Sequence, residues 1–244
     1  MKFVVIIPAR YQSSRLLGKP LIKLKGVSMI VRTYRQCIKA VDKKLVYVAT
    51  DDSRIKDECL SNEIKVIMTP KKCLTGTDRV FEASKKIKAD TYINVQGDEP
   101  LFNPNDLKKL IKEIKKYPKD VITGYCEIFD KKKYKDVNVP KVVVSEDEHI
   151  LYASRAPIPS NKKGKFVKAW RQVCAYAFPK KQLHLFSKKK RKTILESIED
   201  LEYLRFLELG IDIKTLKMSN MSLAVDTPED VIEAKKLINE LNLN

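Results

Sequence analysis

Residues able to do chemistry gather at four places in this 244-residue chain. The first is a basic loop, Arg10, Ser13, Ser14, Arg15 and Lys19, directly behind the apolar run Phe3-Val4-Val5-Ile6-Ile7 and Pro8. Three cations with hydroxyls between them suit a polyphosphate, because Arg forks onto phosphate oxygens and Lys acts as a point charge. Neither GxxxxGK[ST] nor GxGxxG occurs in it, and the bland alternative is a solvated basic turn after an edge strand. The second place is Thr75-Gly76-Thr77-Asp78-Arg79, where a Gly/Thr-rich helix start offers free N–H groups and a positive dipole end to a phosphate or a base edge. The third and fourth are Asp98, in Gln96-Gly97-Asp98-Glu99-Pro100, and Asp226, just ahead of Thr227-Pro228. Two carboxylates from distant sequence meeting at one face could share Mg²⁺, which is commonly held by one or two carboxylates, substrate phosphates and water. Against that stand a turn role for Asp98 and a helix-serving role for Asp226.

Other catalytic chemistries find little support. His149 and His184 are the only histidines, and neither lies beside a nucleophile signature, so both are expected to face solvent. Cys37, Cys59, Cys73, Cys126 and Cys174 are scattered, odd in number and without a CxxC pair. That argues against disulfide staples or a zinc site and for idle thiols in a reducing compartment.

The elements that must position these residues follow from hydrophobic periodicity. Residues 3–7, 45–49, 65–68, 91–95 and 121–128 read as buried strands. Helices are expected over 29–40, capped by Ser28, over 54–60, over 76–86, and from Asn103 or Asn105 to about 117. Strands alternating with helices predict a doubly wound, mostly parallel α/β sheet, and every loop named above then falls on the same side of it, past the strands' carboxyl ends. From about residue 128 the pattern changes. Residues 141–145 and 149–154 resemble an antiparallel pair joined by Glu146-Asp147-Glu148, Pro157 and Pro159 forbid regular structure, and 170–178 is a further strand. Helices over 181–187 and 195–209 and a strand near 213–218 come next. Thr227 as N-cap, Pro228 behind it, and Glu229 and Asp230 in the first turn start a last helix. The expected organisation is one domain over 1–244: an α/β half carrying the candidate phosphate-binding loops (1–128), an inserted antiparallel region (129–178), and a closing part (179–244).

Composition sets outer bounds. Hydrophobic residues make up 43% and charged residues 33% of the chain, as in soluble globular proteins. No apolar run is long enough to span a membrane, and the run behind Lys2 is too short for a signal peptide, so a cytoplasmic protein is expected. The net charge of +18 raises nucleic-acid binding as a reading from another class. Its distribution argues against that, because Lys131-Lys132-Lys133 and Lys188-Lys189-Lys190-Arg191-Lys192 have no interleaved aromatics and the remaining excess is spread over outer helix faces.

Several of these stretches together resemble a known family. Ile7-Pro8-Ala9-Arg10, Gly18-Lys19-Pro20-Leu21, Val48-Ala49-Thr50-Asp51, Thr75-Gly76-Thr77-Asp78-Arg79 and Asn94-Val95-Gln96-Gly97-Asp98-Glu99-Pro100 are similar to motifs of the cytidylyltransferases that activate 3-deoxy-D-manno-octulosonate (Kdo) as CMP-Kdo. So are Tyr152-Ala153-Ser154-Arg155-Ala156-Pro157-Ile158-Pro159, Glu196-Ser197-Ile198-Glu199 with Leu204-Arg205, and Val225-Asp226-Thr227-Pro228-Glu229-Asp230. The resemblance implies a Rossmann-like nucleotide-diphospho-sugar transferase fold with a small dimerisation insert, working as a homodimer on CTP and an acidic sugar, with Mg²⁺, for lipopolysaccharide or surface-polysaccharide synthesis. It implies that Arg10, Ser13, Arg15 and Lys19, with Ala9, cradle the triphosphate, and that Thr75, Gly76, Arg79 and Gln96 surround the cytidine. Asp98 and Asp226 would hold the metal, with Arg10, Lys19 and Asp98 nearest the chemistry, and Arg155, Gln172, Tyr176, Glu199 and Tyr203 would form the sugar side.

The departures from the family pattern concentrate on that sugar side. Leu17 stands in place of Pro and Asp78 in place of Glu, both mild changes. Arg171-Gln172-Val173-Cys174-Ala175-Tyr176-Ala177-Phe178 replaces a His-Leu-Gly-Ile-Tyr-Gly-Tyr-like run, so that Gln172 stands for a His, and Tyr203 stands for a Gln. An amide for an imidazole and a phenol for an amide change the donors and acceptors offered to sugar hydroxyls. The expectation is therefore Kdo or a closely related 3-deoxy-2-ulosonic acid, with an amino-Kdo or a nonulosonic acid as the alternative. A sugar-phosphate or alditol-phosphate substrate is disfavoured because the GxGxR-type loop is missing.

Overall fold

The computed structural model describes residues 1–13 and 16–241. Its centre is β1 (Phe3–Ala9), buried from Val4 onward. Two antiparallel two-residue strands, β2 (Lys23–Leu24) and β3 (Val27–Ser28), lead into helix α1 (Met29–Ile38). The chain then alternates through β4 (Val46–Thr50), α2 (Ser53–Ser61), β5 (Val66–Met68), α3 (Gly76–Ser84), β6 (Thr91–Val95), α4 (Pro104–Lys116) and β7 (Val121–Ile128). Next come α5 (Lys131–Lys135), β8 (Lys141–Val144), β9 (Ile150–Ser154), β10 (Ala169–Pro179), α6 (Lys180–Lys188), α7 (Ile194–Glu199), α8 (Leu204–Glu208), β11 (Ile213–Lys217) and α9 (Pro228–Glu240).

The main sheet runs β11-β7-β10-β6-β1-β4-β5. β1 lies parallel to β4 and β6, β4 to β5, and β11 to β7, as continuous apolar strands buried on both faces require. Two apolar layers sandwich it, one built on Ile7, Val48, Ile93 and α1, the other on Ile6, Tyr92, Phe178 and α8. The α/β fold with a mainly parallel sheet and a small antiparallel addition agrees with the expectation.

Two expectations fail in informative ways. β10 was expected to close the inserted region, yet it runs down the middle of the main sheet, antiparallel to both β6 and β7. Its stretch Ala175-Tyr176-Ala177-Phe178 is buried without alternation, the mark of a central strand, and a register shift between Val173 and Tyr176 adapts it to two partners. The inserted part is thereby reduced to α5, β8, β9 and their loops, with β8 joined to the start of β10.

The single helix expected over 195–209 is broken into α7 and α8. Asp200 takes a left-handed φ of 50° between them, and the Glu199 and Asp200 carbonyls accept the Arg155 guanidinium instead of helical N–H groups. Tertiary hydrogen bonds outweigh local helix propensity here. Ser28 does precede α1, but its hydroxyl makes no cap bond and is buried without a partner. The start of α9 is as expected: Thr227 and Asp230 form a capping box with Pro228 in the first turn.

Candidate functional site

The carboxyl ends of β1 and β6, the start of α3 and the insert enclose a cleft of about 420 Å³. Of the residues singled out in the sequence, Ala9, Arg10, Ser13 and Lys19 form its floor, and Thr75, Gly76 and Arg79 form one wall. Gln96, Asp98 and Asp226 close a second side, and Arg155 stands on the insert side. Arg15 lies outside the described residues.

The floor is organised by one ammonium. Lys19 Nζ donates to Asp98 Oδ2 at 2.6 Å and to Asp226 Oδ1 at 2.9 Å. Burial opposes its charge, but the two carboxylates outweigh burial and hold its pKa above the ordinary lysine value. The convergence of two segments so far apart in sequence has a backbone cause, since Val225 N–H donates to the Asp98 carbonyl at 2.9 Å. Gly97 lets the turn after β6 lie against the end of β1, since a Cβ there would be 2.7 Å from the Pro8 carbonyl oxygen. At the start of α9, Asp230 Oδ2 receives the Asp226 and Thr227 N–H groups at 2.8 and 2.7 Å. The Asp226 carboxylate meets Lys19 on the cleft lining.

Two hard oxygen donors within reach of one cation match what Mg²⁺ asks of a protein that shares it with substrate phosphates. Among the described residues no group of three or more His, Cys, Asp or Glu gathers to hold a metal by protein donors alone. Neither histidine lines the cleft: His184 is exposed beside Phe81, and His149 is half-buried near β11.

The α3 wall is tightly specified. Thr75 caps the helix through a capping box with Asp78, whose carboxylate receives Thr75 N–H at 3.0 Å and Thr75 O–H at 2.8 Å. Gln96 lies directly over Gly76, where a Cβ would meet its Nε2 at 2.7 Å. That amide donates to Glu202 Oε1 at 2.8 Å, while Glu202 Oε2 accepts Thr77 N–H at 2.9 Å. Burial raises the Glu202 pKa. Arg79 is almost wholly buried, with its guanidinium on Thr69 Oγ1 (2.6 Å) and Asp51 Oδ2 (3.1 Å), so it anchors the loop after β4 while lining the cleft.

On the insert side Arg155 donates through Nε to the Glu199 carbonyl (2.6 Å), through Nη1 to Val137 (2.9 Å) and through Nη2 to Asp200 (3.1 Å). Three of its five N–H donors are thus used, leaving one on each terminal nitrogen. The Glu199 carboxylate is occupied by Ser154 Oγ (2.7 Å) and Arg155 N–H (2.8 Å), so Glu199 holds Arg155 in place from behind. Gln172, Tyr176 and Tyr203 are buried away from the cleft lining. The Gln172 amide donates to the Tyr176 hydroxyl, the Tyr203 hydroxyl has no partner, and the two tyrosine rings pack at 6.2 Å. Sequence reasoning missed Cys73, Val137, Asn138 and Asp200 on the lining and Glu202 behind it. A lone carboxylate such as Glu202, in a stretch that reads as amphipathic helix, carries no signal of its own.

Behind Asp98, Glu99 is a buried acid whose Oε2 has no partner. Burial, then the neighbouring Asp98 charge, push its pKa up to about 8 from 4.5. The folded protein therefore holds a proton that the unfolded chain has released, and this contribution to stability fades as pH rises from 4.5 through about 8. Glu99→Gln is expected to melt higher than the parent in metal-free buffer. Its advantage should grow by roughly 2–4 kcal/mol between about pH 5 and pH 9, read from denaturant melts at each pH.

Comparison with known proteins agrees with this geometry. A family model described as Cytidylyltransferase matches residues 4–213. The chain is 35% identical to the 3-deoxy-manno-octulosonate cytidylyltransferase of Escherichia coli over 97% of its own length and 96% of that protein. It is 38% identical to the 8-amino-3,8-dideoxy-manno-octulosonate cytidylyltransferase of Shewanella frigidimarina over 95% and 96%. A solved CMP:2-keto-3-deoxy-manno-octonic acid synthetase in complex with CTP superposes with a TM-score of 0.90 at 34% identity, covering 99% of this chain and all of that one. With matches of this extent, and the cleft built on the residues that carried the resemblance, the chain belongs to the cytidylyltransferase family.

Proposed function

We propose that this protein transfers CMP from CTP to the anomeric hydroxyl of Kdo or a closely related 3-deoxy-2-ulosonic acid, releasing pyrophosphate, for lipopolysaccharide or surface-polysaccharide synthesis. The observation that carries the reading is the Lys19 ammonium bridging Asp98 and Asp226 in a cleft between the α3 turn and Arg155. Relatives matched along almost their whole length are named for this reaction, and one is solved with CTP.

The chemistry asked of the residues is positioning and charge neutralisation. Attack on the α-phosphorus brings an anionic sugar against a polyanionic nucleotide. Arg10 and Lys19 on the floor offset that charge, and the Thr75–Gly76 turn directs a helix N-terminus at the nucleotide. The two N–H groups left on the Arg155 terminal nitrogens suit the sugar carboxylate. Asp98 and Asp226 would hold Mg²⁺, which supplies charge stabilisation to the phosphates. The fold also supports a homodimer: among the described residues β9 has β8 as its paired strand, its far edge is met by a single bridge from His149 to Lys214 of β11, and Leu151, Phe129 and Val167 on the insert are 62%, 75% and 74% exposed. Light scattering behind a sizing column tests that assembly.

A specific observation keeps the 8-amino sugar as a second reading. Relatives named for 8-amino-3,8-dideoxy-manno-octulosonate are as similar (37–38%) as those named for the hydroxyl sugar (35–37%). Pyrophosphate release with CTP and Mg²⁺ against Kdo, 8-amino-Kdo and a sialate separates the readings. Preference for Kdo supports the first and preference for the amino sugar the second. Release with none of the acids refutes the substrate class.

A further inference from the structure

The corner at residues 196–205 grips both walls of the cleft from outside, and its anchor is a buried arginine. Arg205 has no exposed side-chain surface and lies 3.9 Å from the Phe186 ring centroid. It donates through Nε and Nη2 to the Glu196 carboxylate at 2.7 and 2.6 Å, and through Nη1 and Nη2 to the Asp78 carboxylate at 3.0 and 3.3 Å. Nη1 also reaches the Lys189 carbonyl at 3.5 Å. All five N–H donors of the guanidinium are thereby engaged.

Asp78 transmits this anchorage. The oxygen that receives Arg205 Nη2 is the one that closes the Thr75 capping box, and Thr75 and Gly76 line the cleft. One turn earlier in the corner, Glu202 holds Thr77 N–H and the Gln96 amide. At its other end the Glu199 and Asp200 carbonyls hold the Arg155 guanidinium. A single ten-residue segment thus connects the nucleotide wall to the sugar wall.

We propose that Arg205 is a positioning residue: through Asp78 it sets the Thr75–Gly76 turn against the nucleotide, and through its own corner it links that turn to Arg155, so that seating one substrate favours the other. This rests on the CTP and acidic-sugar reading above. The forked geometry is what matters, because a lysine keeps the charge but gathers its three donors on one atom and cannot give two N–H bonds to each of two carboxylates.

Arg205→Lys tests it on the full-length protein. In turnover assays the KM for CTP is expected to rise about tenfold and the KM for the sugar to rise with it, while kcat changes less than about twofold, as a misplaced wall without loss of the reacting cations should give. In calorimetry, with Mg²⁺ and a CTP analogue bridged by carbon between the α and β phosphorus atoms, saturating sugar should tighten nucleotide binding about fivefold or more in the parent and much less in the variant. Asp78→Asn leaves the Glu196–Arg205 pair in place and should move the same quantities in the same direction, so it decides the matter if Arg205→Lys does not fold. A lowered melting temperature with both KM values and the affinity ratio unchanged would overturn the proposal. So would a parent that binds the analogue equally with and without sugar. A parent that releases no pyrophosphate with any acidic sugar instead refutes the functional reading above. A parent that turns over normally beside unaffected variants refutes only the role of Arg205.

Discussion

Asp98→Asn is expected to lower pyrophosphate release about a thousandfold, the scale seen when a group stabilising developing charge is removed, while the protein folds as before. Retention of the fold follows from what Asp98 does structurally. Its backbone carbonyl, not its side chain, ties β6 to the segment before α9 through Val225 N–H. Its side chain is 25% exposed, and in the variant Lys19 still has Asp226 at 2.9 Å. An isosteric amide therefore keeps the shape of the site and removes one of the two negative oxygen donors proposed for Mg²⁺. Asp226→Asn should act in the same direction, and the double variant should lose little more than either single one, because two ligands of one ion act as a unit. Parallel measurements of circular dichroism and of Mg²⁺ dependence check the account. A single variant that keeps more than about a tenth of parental kcat at saturating Mg²⁺ would refute the shared-metal role.

The floor and nucleotide wall were legible in the sequence because their signals are local. An apolar run opens β1, which continues through Pro8 to Ala9, and a run of cations follows at once, and Thr75-Gly76-Thr77-Asp78 is a capping box written in four residues. Asp98 and Asp226 could be placed at one face because both sit at element ends, although what joins them, Val225 N–H to the Asp98 carbonyl, has no sequence signature. The insert side was harder because its residues act through partners distant in the chain. Glu199 reads as a ligand in a motif, yet its carboxylate is taken up by Ser154 and the Arg155 amide forty-five residues away. Gln172 and Tyr176 lie on β10, whose place in the sheet turns both into the interior, Tyr176 against Phe178 and Tyr203 and Gln172 against the Tyr176 hydroxyl. Periodicity shows that a strand is buried but not which strands flank it, so a residue expected at a ligand can be turned inward by topology alone.

Lys19→Met should damage turnover nearly as much as Asp98→Asn, but with the opposite electrostatic signature. Removing the ammonium takes a cation from beside the phosphates, at an expected cost of about a hundredfold to a thousandfold in kcat. It also takes from Asp98 and Asp226 the ammonium that both contact, at 2.6 and 2.9 Å, and so increases the repulsion between them. The Lys19 side chain is only 14% exposed, so stability in metal-free buffer should fall by roughly 1–3 kcal/mol, less than the loss of a fully buried partner. The raised pKa sets the window. The contribution of Lys19 is fully present below the ordinary value of 10.5 and is lost only as pH climbs above it, so the loss should be constant across neutral pH. Asp98→Asn relieves repulsion between the carboxylates where Lys19→Met increases it. Added Mg²⁺ should consequently raise the melting temperature of Lys19→Met more than that of the parent and restore its stability without restoring its rate. Were Mg²⁺ to recover both, the ammonium would serve only to hold the two carboxylates apart until the ion arrives, and its place beside the phosphates would have to be abandoned.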